Sequence, residues 1–249
     1  MNPFKNGMVG ATYVIHVPKF TDRAAHIRAE LGKFEIPFEF VLPFDADDLD
    51  AATLKHFLVA GGRYSTRDLS LILKHMEAFR RMLSGGHQLA LVLEDDVVLD
   101  ERFNEELSDI IEEAKPFTGP FTVQIGCANN MFVPGHRLRA RQRLYEAREV
   151  RATDSYLINA AAARVRLDWL ESHQFDRPVG HLFNQIDAEK QIKIYWSEPT
   201  IVEQGSMNGL FPTALDGARK HRTLEAQKRR YRWQQLRKKY LYRLFRWKF

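Results

Sequence analysis

The run Leu89-Ala90-Leu91-Val92-Leu93-Glu94-Asp95-Asp96 passes without a break from five apolar residues to three acids. Apolar runs of this length bounded by polar residues read as buried strands. Burying this one carries Glu94, Asp95 and Asp96 to the carboxyl edge of a sheet. Three adjoining carboxylates repel one another, and a hard cation with oxygen ligands is a natural way to hold them together. A solvated turn after a strand has the same local sequence.

Similar β-rich runs occur at Val9 to Val17, Phe38 to Leu42, Phe121 to Ile125, Tyr156 to Ile158 and Ile192 to Trp196. Helical patterns fall between several of them. Arg23 to Phe34 is the first, and Asp68 to Leu83 is clearer, with Leu69, Ile72, Leu73, Met76 and Leu83 on one face. Arg102 to Ala114 and Ala160 to Glu171 are two more. Strands alternating with helices predict an α/β sandwich with a mostly parallel sheet, and ligands in such folds bind beyond the carboxyl ends of the strands.

The chain has 249 residues, 45% of them hydrophobic, enough for one or two compact domains. No run approaches the 18 or so apolar residues of a membrane span. Met8 to Val17 is interrupted by Thr12 and His16 and has no signal-cleavage pattern. The single cysteine, Cys127, excludes an internal disulfide and a Cys-based zinc site, which fits a reducing compartment. A cytoplasmic protein is the expectation.

The formal charge of +5 hides two opposite parts. Arg219 to Phe249 holds 13 Lys and Arg against one acid, Glu225, so the residues before it carry −7. The composition shifts at about residue 218, after the turn-rich stretch Gly205 to Gly217. This predicts a catalytic body over 1–218 and a separate basic tail over 219–249. On a helical wheel the tail aligns Trp233, Leu236, Tyr240, Leu244 and Trp247 with basic flanks. Such a helix suits an anionic membrane surface or packs on its own core. No zinc-finger or RNA-binding pattern accompanies it, so nucleic acid is not an expected partner.

Taken in order, these blocks resemble glycosyltransferase family 25, the lipooligosaccharide galactosyltransferases. Tyr13 to Val17 with Asp22-Arg23 is similar to the family's opening strand, and Phe38-Glu39 with Ala46-Asp47 to its second block. Asp68 to His75, followed by Phe79, resembles its helix Glu-Ile-Gly-Cys-x-Leu-Ser-His. Leu93 to Asp96 matches its Leu-Glu-Asp-Asp, the family's form of the metal-binding DxD. Tyr156-Leu157-Ile158, Ala162-Ala163, Arg177-Pro178-Val179 with His181, and Pro199, Gln204 and Ser206 follow in the family's order. There are departures. Ser70, Leu71 and Lys74 stand where Gly, Cys and Ser are usual, His16 where Asn is common, and Gly180 where an Asp usually follows Pro-Val.

The resemblance implies a GT-A-like, Rossmann-type α/β/α sandwich with a mostly parallel sheet and a C-terminal basic amphipathic helix. It implies transfer of a hexose, galactose from UDP-galactose, with inversion, onto a lipid-linked oligosaccharide of lipopolysaccharide type. The site is then peripheral to the cytoplasmic face of the inner membrane. Mn²⁺ or Mg²⁺ would be held by Asp96, Asp95 and His181, neutralising the leaving diphosphate. Arg23, Asp47, His75, Glu94, Asp95 and Gln204 would bind the donor, with Ser206 beside Gln204. The base that takes the acceptor proton, in the absence of an acid at 180, would be Asp187 or Asp176.

Other classes lose their main support. There is no P-loop, dinucleotide fingerprint, HExxH or GxSxG motif. Receiver domains carry paired acids after a strand that opens the domain, whereas some 88 residues precede this one. Haloacid-type phosphatases need a Gly/Thr turn where Val97-Val98-Leu99 follows. A metal-dependent phosphohydrolase and a non-catalytic nucleotide-sugar-binding protein remain as alternatives.

Overall fold

The computed structural model describes residues 2–60, 65–126, 131–212 and 223–240, with the side chains of residues 238–240 excluded. Cys127 and the tail residues Leu244 and Trp247 lie outside the described residues, as does the side chain of Tyr240.

The chain runs β1 (Ala11–Ile15), α1 (Thr21–Lys33), β2 (Glu39–Val41), α2 (Ala51–Phe57), α3 (Thr66–Ser84), β3 (Leu89–Glu94), β4 (Val97–Leu99), α4 (Phe103–Ala114) and β5 (Phe121–Gln124). It continues through β6 (Leu144–Ala147), β7 (Ser155–Asn159), α5 (Ala160–Ser172), α6 (Val179–Lys190), β8 (Lys193–Ser197), β9 (Val202–Gln204), α7 (Gly205–Asn208) and α8 (Leu224–Tyr240). Seven strands form one sheet in the order β2-β1-β3-β7-β5-β8-β6, and β4 and β9 form a separate antiparallel pair. All six strands read from the sequence are present. Five of the seven sheet strands run one way, while β6 and β7 run against them, so the sheet is mixed.

Alternation along the strands sorts the core into two layers. Val14, Leu91, Leu93, Val123 and Leu157 face α1 and α4, packing on Ile27, Leu31, Phe103, Leu107 and Ile110. Tyr13, Ala90, Val92, Tyr156 and Ile158 face α3, α5 and α6. Local chemistry starts the long helices on that second face. Ser65 and Asp68 make a reciprocal capping box at α3, and the Asn159 side chain accepts from the Ala162 amide at 2.9 Å to start α5.

The reversed strand matters for function. β7 enters between β3 and β5 with Ser155 opposite Leu93 and Asn159 opposite Leu89. Its amino end therefore meets the carboxyl end of β3, and the Glu94 amide donates to the Asp154 carbonyl at 2.7 Å.

Asp187, read from the sequence as a base, has structural work instead. It lies on α6, 2% exposed, and accepts from Arg166 Nε at 2.9 Å and from a terminal guanidinium nitrogen at 2.6 Å. Arg166 is itself fully buried on α5 and stacks over Phe183 at 4.1 Å. Removing one member of a buried pair strands the other charge without solvent. Asp187→Ala is expected to lower unfolding free energy by about 3–5 kcal/mol in urea titrations. A loss below about 1 kcal/mol, in the range of an exposed pair, would show that the pair is not structural.

Candidate active site

β3 ends at the middle of the sheet's carboxyl edge, and its three acids diverge there. Glu94 Oε2 accepts from Gln204 Nε2 at 2.9 Å and Oε1 from Thr153 Oγ1 at 3.2 Å. Gln204 reaches it because β9 pairs with β4 so that Gln204 lies opposite Val97. Asp95 Oδ2 is 2.7 Å from His16 Nδ1, and Oδ1 accepts from Arg23 at 3.0 Å. Asp96, 1% exposed, accepts at Oδ2 from the Ser206 amide at 2.9 Å, and its carbonyl accepts from the Gly205 amide at 2.7 Å. A Cβ at Gly205 would stand 2.6 Å from that carbonyl and 2.9 Å from the Phe211 ring, so only glycine lets the backbone come this close. Asp96 Oδ1 is buried without a hydrogen-bond partner.

A fourth carboxylate, Asp154, completes the cluster. It is 1% exposed, and Ser155 Oγ donates to it at 2.9 Å. Burial, more than any neighbour, pushes Asp154 up to about 7, with Asp96 adding repulsion and Ser155 and Arg151 opposing. Glu94 is pushed up to about 8 by burial first and then by Asp96, Asp154 and Asp95. Asp96 is raised for the same leading reason, with Arg23 opposing. Arg23 is the cation that faces Glu94 and Asp96. Its guanidinium also lies 3.8 Å from Asp96, donates to the Pro212 carbonyl at 2.6 Å and sits over the Phe20 and Phe211 rings.

Beside the acids a cavity of about 300 Å³ opens at the ends of β1, β2 and β3, within the range of small-molecule sites. Its wall carries Lys19, Arg23, Arg67 and Lys74 together with His16, Asp45, Asp47, Glu94 and Asp95. Lys74 is 1% exposed. Its ammonium is 2.6 Å from Asp45 Oδ1 and donates to the Leu42 carbonyl at 2.7 Å, which pins the end of β2 to α3.

The structure brings Arg23, Asp47, Glu94 and Asp95 to one cavity, with Gln204 bonded to Glu94 behind it. Asp47 is there as an exposed side chain paired with Lys19 at 2.5 Å. Four other expected residues are placed elsewhere. His75 is fully buried, bonded through Nδ1 to the Tyr156 hydroxyl at 2.9 Å and packed against Phe183, and burial pushes it down to about 3. It belongs to the core rather than to a donor. Asp176 is an exposed loop residue bonded to Arg177, and Asp187 is held by Arg166. His181 is exposed on α6, and among the described residues no three His, Cys, Asp or Glu side chains gather as a metal-binding set. Asp95 has both oxygens engaged, so Asp96 is the member of the pair with an unpartnered one. Asp154 escaped the sequence reading because it lies far along the chain from Glu94, and the two meet only through the reversed strand.

The pattern of glycosyltransferase family 25, described as an LPS biosynthesis protein family, matches residues 10–182. The chain belongs to glycosyltransferase family 25. No match was found among curated proteins. The family 25 match covers β1 through the first turn of α6, and so takes in all four clustered carboxylates. It identifies an LPS-related glycosyltransferase, a class that joins a nucleotide sugar to an oligosaccharide acceptor.

The raised Asp154 has a stability consequence. Its native carboxyl keeps a proton at pH values where the unfolded one, near 3.8, has lost it. The stability this contributes is complete below about pH 4 and is lost as pH rises through about 7. Asn cannot ionise. The melting temperature of Asp154→Asn, measured in EDTA, is therefore expected to gain on wild type between about pH 4 and 7 and to level off above. A gap that stays constant over that range would show that the native carboxyl ionises normally.

Proposed function

We propose that this family 25 enzyme transfers galactose from UDP-galactose, with inversion, to a lipid-linked oligosaccharide of lipopolysaccharide type at the cytoplasmic face of the inner membrane. The observation that carries the reading is the unpartnered, buried Asp96 Oδ1 inside a cluster of four carboxylates, beside a cavity walled by cations. A mobile leaving group bearing two phosphates needs such cations, and Arg23, Lys19 and Arg67 supply them along the wall.

The donor set fits a divalent ion of the Mg²⁺ or Mn²⁺ kind. Mg²⁺ commonly takes one or two carboxylates and fills its remaining positions with water and substrate phosphate, so a three-residue cage is not required. Asp96 would hold the ion, with Glu94 and Asp154 close enough that the Asp96 charge adds to the burial that raises their carboxyls. When bound, it would supply Lewis-acid neutralisation of the diphosphate. The protein's own residues do the rest. Gln204 and Thr153 orient Glu94, the Ser206 amide fixes one Asp96 oxygen, and Arg23 spans Asp95 and the Pro212 carbonyl. The 205–212 segment thereby closes one side of the acid cluster.

The tail supports work at a membrane. Among the described residues no helix is long and apolar enough to cross one. In α8, however, Trp233 and Leu236 are 60% and 50% exposed beside Lys228, Arg229 and Arg232. Exposed aromatics flanked by cations suit the interface of anionic lipid, where each basic residue contributes about 1 kcal/mol.

Two measurements test these readings. UDP-galactose with Mn²⁺ should raise the wild-type melting temperature, by about 2.7 kcal/mol of stabilisation at 100 times its dissociation constant. Asp96→Ala should lose the metal-dependent part. No shift with UDP-, GDP-, CMP- or ADP-sugars, together with phosphate release from simple esters, would point to the phosphohydrolase instead. Removing residues 219–249 should abolish sedimentation with vesicles rich in phosphatidylglycerol. Equal sedimentation of the truncated protein would sink the membrane reading.

A further inference from the structure

An inverting transfer needs a basic atom to take the acceptor proton, and the carboxylates on the cavity wall are already engaged. Asp45 is 2.6 Å from Lys74, and Asp47 is 2.5 Å from Lys19. Glu94 accepts from Thr153 and Gln204, and Asp95 is bonded by His16 and Arg23. Gly180, on the first turn of α6, brings no acid at all.

His16 is different. It follows β1 directly, lines the cavity and is 4% exposed, with its ring against Phe40 at 4.8 Å between centroids. Its Nδ1 is 2.7 Å from Asp95 Oδ2. The tautomer that donates from Nδ1 to this carboxylate carries its lone pair on Nε2. No described protein group bonds that nitrogen. A buried carboxylate behind an imidazole holds one tautomer and stabilises the imidazolium that forms, the arrangement used for general-base catalysis on several unrelated folds. Arg23 on the second Asp95 oxygen keeps the carboxylate from turning away.

We propose that His16 is the general base of the transfer and Asp95 its positioning residue, an assignment that rests on the transferase reading above. The acceptor O–H bond breaks and its proton passes to His16 Nε2. The electron pair left on oxygen forms the new bond to the anomeric carbon, and the bond from that carbon to the diphosphate breaks with its pair leaving on the phosphate oxygen. The proton then returns to solvent. Asp95 serves the imidazole rather than a metal, and His16, where an Asn is common in the family, stands in for the carboxylate that Gly180 cannot provide.

The test uses the full chain with UDP-galactose and a panel of glucose-, galactose- and N-acetylglucosamine-ended oligosaccharides. His16→Gln should lower kcat by about 100-fold or more, the scale of general-base catalysis, while the KM for UDP-galactose stays within about threefold. Added imidazole should restore part of the turnover of His16→Ala and leave the wild type unaffected. A His16→Gln enzyme within about threefold of wild-type kcat overturns the proposal, as do a loss confined to donor KM, an unrescued His16→Ala, or variants that no longer fold. The wild type separates the two levels of inference. If it transfers from no nucleotide sugar, the transferase reading falls and takes the base with it. If it turns over and the variants keep pace, His16 alone is dismissed.

Discussion

Four carboxylates, Glu94, Asp95, Asp96 and Asp154, share the middle of one sheet edge, and much of the surrounding architecture answers their mutual repulsion. For Glu94, Asp96 and Asp154 burial leads the rise toward the protonated form. Their partners come from every part of the chain. Arg23 arrives from α1, Thr153 from the approach to β7, Gln204 from β9 and the Ser206 amide from α7. A cluster of like charge needs such convergence to stay folded.

The partners explain elements that otherwise look incidental. β4 and β9 are three residues each and lie outside the main sheet, yet their pairing is what delivers Gln204 to Glu94 and starts α7 against Asp96. Gly205 is needed there because its amide must reach the Asp96 carbonyl with no side chain between. Downstream, Gly209 adopts a positive φ of 86° and lies against the Leu224 carbonyl and Lys228 of α8. The basic helix is thus continuous in packing with the segment that caps the acids.

What the sequence made legible follows from the range of the interactions involved. β3 and its acids stood out because five successive apolar residues have no other use than burial, and α3 because its apolar stripe is local, although its start is Thr66, fixed by the Ser65–Asp68 cap, rather than Asp68. The direction of β7 left no mark, since strand sense is decided by a connection some thirty residues long. Asp154 was missed with it. α6 begins at Pro178-Val179-Gly180, which reads as a turn, and its burial pattern becomes clear only against α5 and α3. Asp187 illustrates the same limit from the other side. A carboxylate near a family block invites a catalytic role, and the Arg166 that neutralises it lies 21 residues earlier on a neighbouring helix. His75 follows suit, placed off the helix stripe in projection but facing Tyr156 in space.

The departures from the family pattern make physical sense as a set. Lys74 and Ser70 both turn toward the loop after β2, one bonding the Leu42 carbonyl and Asp45, the other donating to the Phe44 carbonyl at 2.6 Å. Together they tie the wall that carries Asp45 and Asp47 to α3, at the cost of burying an ammonium whose charge is disfavoured there by desolvation and kept by Asp45. Across the same cavity, His16 takes one oxygen of Asp95 and Arg23 the other. Under the proposed transfer, a cationic wall on one side would hold the leaving diphosphate, and an imidazole held by a carboxylate on the other would take the proton of the incoming hydroxyl. In a cleft already crowded with four, an imidazole adds basicity without adding negative charge.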